Sequence, residues 1–103
     1  MKKKIDKIVN ELKNELKKSF KDFKGLYIYG SQVNGTYNKN SDVDIVVIFS
    51  KYNFEKLSVV WTIVSKIEYA NNIVIDLKPY TYLELKRNYI FCNEVVGKGV
   101  FYA

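Results

Sequence analysis

Two aspartates one residue apart, Asp42 and Asp44, open the longest unbroken apolar run in this chain, Ile45 to Phe49. Along a strand, side chains alternate between faces. Asp42 and Asp44 therefore share one face, and Val43, Ile45, Val47 and Phe49 share the other, which reads as core. Two carboxylates about 7 Å apart on one strand repel each other unless a cation lies between them. Mg²⁺ is held in this way, by one or two carboxylates plus waters and substrate phosphates. Upstream, Gly30-Ser31 ends a second apolar run, and ten residues separate Ser31 from Asp42. The pattern over residues 27–49 is strand, Gly-Ser turn, short loop or helical turn, then a strand that starts with acid.

Gly30-Ser31, the ten-residue spacer and Asp42-Val43-Asp44 resemble the signature of the nucleotidyltransferase superfamily with the DNA polymerase beta-type palm. The short chain resembles the smallest branch, the minimal nucleotidyltransferases (MNT), many of which are encoded beside a HEPN-domain partner. A lone Asp-x-Asp is a weak signal, but Gly-Ser and Asp-x-Asp at this spacing between two apolar strands is a strong one. The resemblance covers residues 5 to 102. It implies an α/β (α+β) fold, a polymerase-beta-like palm with a small mixed sheet and helices packed on it, in one domain over residues 1–103.

The bulk numbers agree with one domain: 103 residues supply a single core and not two. The net charge of +6 is uneven, since residues 1–24 carry nine lysines against four acids. Such a face attracts nucleic acid or another anionic partner. The aromatic residues of this stretch, Phe20 and Phe23, come only at its end, so a solvated helix face is the plainer reading. Cys92 is the lone cysteine and there is no histidine, which excludes an intrachain disulfide, a His/Cys zinc site and a Ser-His-Asp triad. The lysine-rich start lacks the apolar core of a signal peptide. The expectation is a cytoplasmic protein without a membrane segment.

Ile5, Ile8, Val9, Leu12, Leu16 and Phe20 recur at helical spacing, predicting an amphipathic helix over residues 3–22 that stops at Gly25. A short strand follows over 26–29. Residues 32–40 are rich in turn-formers, with Ser31 expected to cap a brief helical turn. After a turn at 50–53, Phe54, Leu57, Val60, Trp61, Val64 and Ile67 predict a helix over 54–70 with Trp61 in the core. Ile73 to Lys78 reads as a third strand stopped by Pro79, with Val74, Asp76 and Lys78 on one face. Thr81 and Glu84 form a capping-box pattern that opens a helix over 81–95. Gly97 and Gly99 end it, and residues 100–102 read as an edge strand or a packed tail. Cys92 reads as a small core hydrophobe.

A carboxylate inside an apolar strand is costly to bury unless it is paired or bound to a cation. The resemblance makes Asp76 the third acid of the site; an edge-strand position or an ion pair with a nearby lysine is the alternative. By the same resemblance, Asp42, Asp44 and Asp76 are the catalytic and metal-binding residues. They hold Mg²⁺, with two ions and Mn²⁺ as a substitute. Gly30 and Ser31 approach the phosphates of ATP, with Lys39 considered as a helper. The implied activity is transfer of AMP from ATP to a hydroxyl, a tyrosine of a HEPN toxin, so that the protein acts as an antitoxin. The chain lacks the further substrate domains of larger relatives, so a partner must present the nucleophile. Residues 95–102 are a candidate docking surface, with self-packing as the alternative. A module that neutralises the HEPN partner by contact alone is the competing reading. Specific nucleic-acid binding is not expected, and a homo-oligomer stays open.

Overall fold

A computed structural model of the chain describes residues 2–35 and 42–103. The turn expected over residues 36–40, and with it Lys39, lies outside the described residues.

Four strands form one mixed sheet in the order β3-β2-β1-β4. They are β1 (Phe23–Tyr29), β2 (Val43–Phe49), β3 (Ile75–Tyr80) and β4 (Val100–Tyr102). β1 runs antiparallel to both β2 and β4, and β2 runs parallel to β3. A parallel pair needs a crossover connection, which the helix α3 (Phe54–Asn71) supplies. The expected mixed sheet with helices packed on it is what the chain forms, and residues 100–102 are the edge strand.

The sheet buries both faces. On one, Val43, Ile45, Val47 and Phe49 meet Ile75 and Leu77 of β3, together with the apolar stripes of α1 (Lys3–Ser19) and α3. This is the core that strand alternation predicts. On the other, Val46, Ile48 and Tyr29 pack with Leu85 and Val95 from the C-terminal segments. β2 is thus central and nearly continuously apolar, as a strand covered on both sides must be.

Several boundaries differ from the sequence reading. α1 ends at Ser19 and not at residue 22, because Phe20 turns extended (φ −134°, ψ 116°). Its ring instead packs edge-on against Phe49, with centroids 5.3 Å apart. Gly25 is no helix stop. It lies within β1 at φ +132°, where the register with β2 shifts, and a Cβ there would run into the Phe101 ring. Pro79 does not stop the third strand; β3 continues to Tyr80. β3 is an edge strand, where a residue without an N–H is tolerated.

The C-terminal helix is broken. α4 (Tyr82–Arg87), α5 (Tyr89–Cys92) and a π-helical turn (Asn93–Gly97) replace one continuous helix. Asn88 interrupts it at φ −95°, ψ 80°, and its side chain accepts a hydrogen bond from Phe91 N at 3.4 Å. The break turns Ile90 out to 82% exposure, while Leu85 and Val95 stay buried. The capping box at Thr81 forms in both directions. Trp61, expected in the core, is 43% exposed. One residue step is a 100° turn of helix, and Val60, Val64 and Ile67 already fill the buried stripe.

Candidate active site

Asp44 sits at the start of β2 and is the centre of a row across three strands. Its register partner on β1 is Tyr29, and its register partner on β3 is Asp76. Register partners on neighbouring strands lie about 4.8 Å apart and project to the same face. The sequence reading needed Asp44 and Asp76 on one face, and this pairing puts them there. Asp42 lies just before β2 and is exposed. It is close enough to Asp44 to oppose its ionisation.

Burial raises the Asp44 carboxyl above the usual carboxylate range. Asp76 pushes it further, Lys78 pulls the other way, and Asp42 adds a smaller upward push. The site is therefore a concentration of negative charge only partly compensated. The compensating group is Lys78, whose Nζ donates to Asp76 Oδ2 at 3.0 Å. The ion pair with a nearby lysine and the place facing Asp44 are thus both realised at Asp76. Burial works against the Lys78 ammonium, but Asp76 and the Tyr29 hydroxyl hold its pKa up. Tyr29 itself is buried, and chiefly that burial raises its hydroxyl pKa above the ordinary range.

Gly30 closes the site from the β1 side. It has φ +78°, and a Cβ built on it would lie 2.6 Å from Asp44 Oδ2. Any side chain here would take the space the Asp44 carboxylate occupies. Gly30 is also the N-cap of the short helix α2 (Ser31–Asn34). This corrects the expectation for Ser31, which is the first helical residue and not the cap. The backbone at the cap, φ +78° and ψ −149°, suits glycine and would strain serine.

The donor set fits a hard divalent ion: all oxygen, two carboxylates in register, a third nearby, and an unbalanced negative charge. As they stand, no three acidic side chains among the described residues are close enough together to hold one. Asp76 is instead paired with Lys78. Sequence reasoning missed Lys78 and Tyr29 as parts of the site. The signal for Lys78 was present, since it shares strand parity with Asp76; Tyr29 gave none, because its aromatic ring reads as core.

A nucleotidyltransferase domain family matches residues 9–96. The chain belongs to that family. No curated protein matches it. Among solved structures, this nucleotidyltransferase domain resembles a toxin–antitoxin complexed with AMP-PNP (24% identity, TM-score 0.66). That alignment covers 89% of this chain and 69% of the other. It also resembles the complex of a tri-AMPylated Shewanella oneidensis HEPN toxin with its MNT antitoxin, at 19% identity and TM-score 0.60, covering 93% and 69%. A proposed nucleotidyltransferase from Sulfolobus solfataricus aligns at 24% identity and TM-score 0.56, covering 99% and 87%. At these identities the likeness is one of fold. No helix among the described residues is long and apolar enough to cross a membrane.

Proposed function

We propose that this nucleotidyltransferase moves AMP from ATP to a hydroxyl of a protein partner, a tyrosine of a HEPN toxin, and so serves as an antitoxin of the minimal nucleotidyltransferase type. The observation that carries the reading is the register pairing of Asp44 with Asp76 beside a glycine that leaves room for the carboxylate. The fold shared with a HEPN–MNT complex whose toxin is AMPylated, and with a toxin–antitoxin holding AMP-PNP, supports the nucleotide and the partner.

Asp42, Asp44 and Asp76 are the residues that would hold Mg²⁺ or Mn²⁺, two ions in all. Bound there, the metal supplies positive charge for the triphosphate and lowers the pKa of the attacking hydroxyl. The chain's own residues do the rest. Gly30 lets backbone and phosphate approach closely. Ser31 donates its hydroxyl hydrogen to a phosphate oxygen. The attacking oxygen forms a bond to the α-phosphorus, the bond to pyrophosphate breaks, and Asp76 takes the proton on its way to solvent. Asp44 is held in place by the strand pairing on both sides.

In this reading the partner supplies the nucleophile, on a rigid surface. An in-line reaction needs the reacting atoms about 3–3.5 Å apart. A docked protein imposes that geometry on its own hydroxyl more firmly than the site alone imposes it on a small acceptor. Residues 95–102 are half committed to self-packing. Val95 is buried, the Phe101 ring lies tilted against Tyr27 with centroids 4.7 Å apart, and Tyr102 donates to Asp6 at 2.6 Å. Val96, Val100 and Phe101 still keep exposed apolar surface for docking. The test is to purify the protein with the protein encoded beside it, add ATP and Mg²⁺, and measure that neighbour's intact mass. AMP additions on a tyrosine are expected. Tight binding that silences the partner without any modification would move the assignment to a contact-only antitoxin.

A further inference from the structure

The Lys78 ammonium already occupies the carboxylate that the proposed reaction needs for metal. Its Nζ lies 3.0 Å from Asp76 Oδ2, and Lys78 stands two residues along β3 from the Asp44–Asp76 pair. The Tyr29 hydroxyl steadies it from β1, two strands away in the sheet order. The ammonium thus partly offsets the negative charge that Asp44 and Asp76 concentrate here. The pair is also easy to open. The side chains of Lys78 and Asp76 are 44% and 45% exposed, and solvent-accessible ion pairs are worth only about 0–1 kcal/mol. The lysine stem is flexible, and its head is a point charge that phosphate oxygens can take over.

We propose that Lys78 is a resident counter-ion for Asp76, one that keeps a bare divalent ion off the acid pair and gives way when a nucleoside triphosphate arrives. The proposal rests on the reading of this site as one for metal and nucleotide. Its consequence is an order of binding. Metal alone has to compete with the ammonium for Asp76. Triphosphate offers the ammonium another set of anionic oxygens, and the freed carboxylate then turns to the metal. Metal and nucleotide therefore assist each other's binding through one side chain, and by linkage the assistance is mutual. Lys78 acts here as a positioning residue, since what it controls is the availability of Asp76.

The experiment is a Mn²⁺ titration followed by electron paramagnetic resonance, with and without a non-hydrolysable ATP analogue. It compares wild type with Lys78→Met and Lys78→Arg, each first checked by thermal melting. Without nucleotide, Lys78→Met should bind Mn²⁺ about fivefold more tightly, the scale set by a solvent-accessible ion pair. Lys78→Arg, which keeps the charge, should stay near wild type. With the analogue present the advantage of Lys78→Met should vanish. Equal Mn²⁺ affinity of wild type and Lys78→Met without nucleotide would overturn the inference, as would equal tightening by Lys78→Arg. If wild type binds Mn²⁺ with the analogue and the variants do not differ, this inference alone falls. If wild type fails to bind Mn²⁺ even with the analogue, the metal-dependent function falls with it.

Discussion

Gly30 and Asp44 compete for the same space: a Cβ on Gly30 would lie 2.6 Å from Asp44 Oδ2. The glycine ends β1 and the aspartate begins β2, so the absence of one side chain sets where the other can go. Gly30→Ala would meet this clash and a backbone at φ +78° together. We expect a loss of about 1–3 kcal/mol in stability, read by urea melts, with nucleotide transfer falling more steeply than the folded fraction. Transfer that tracks the folded fraction alone would mean that Asp44 does not need its present position.

Asp44→Asn separates folding from chemistry. The half-buried carboxyl faces Asp76 and is pushed up chiefly by burial and then by that neighbour. An amide of the same shape removes the repulsion. Thermal melting in the absence of metal should show a stability equal to wild type or higher by up to about 1 kcal/mol, with nucleotide transfer abolished. A marked drop in stability would mean that Asp44 is a structural anchor.

Acid sensitivity should centre on Asp22. Its carboxylate accepts from Lys56 Nζ at 2.6 Å and from the backbone N–H of Ser50 at 3.1 Å, tying the entry to β1 to the end of β2 and to α3. Burial acts against its ionisation, but the bonds from Lys56 and from the Lys51 and Ser50 amides outweigh it, so its pKa is lowered. A depressed carboxyl contributes stability above its unfolded pKa of about 3.9, and that stability is lost as pH falls through the folded value. Asp22→Asn should therefore be less stable than wild type at pH 7 by about 1.5–3 kcal/mol. The gap should close below about pH 4. A constant gap across pH in denaturant titrations would assign the effect to packing.

The three inner strands, the helix between β2 and β3, and the alternation along β2 were legible because they depend on local rules. Parity placed Asp42 and Asp44 on one face, and the same parity in Ile75 and Leu77 oriented Asp76. What did not show was set by contacts between distant parts of the chain. Phe20 left the helical path for the Phe49 ring, Gly25 accommodates Phe101, and Pro79 was tolerated because β3 became an edge. Trp61 matched the helical period and still lost its core place to Val60 and Val64. Lys78 had the right parity, but only the β2–β3 register put its neighbour Asp76 opposite Asp44.

The lysine-rich helix packs on the sheet face opposite the acids, since α1 joins the core of Val43 and Ile45 while Asp44 faces the other way. Replacing Lys13, Lys17 and Lys21 together by glutamine should leave transfer to a small hydroxyl acceptor within about twofold, because exposed charges more than a Debye length apart are screened. Steady-state rates at physiological salt check this, and a tenfold loss would put the helix in the active site.

The central claim is that the acid pair on β2 and β3 carries AMP transfer to the partner. The most direct measurement is intact-mass spectrometry of the proposed HEPN partner after incubation with ATP and Mg²⁺, using wild type, Asp44→Asn and Asp76→Asn side by side. The account predicts AMP additions with wild type and none with either variant, while both variants still bind the partner in pull-down. Additions at the wild-type level with Asp44→Asn or Asp76→Asn would contradict it.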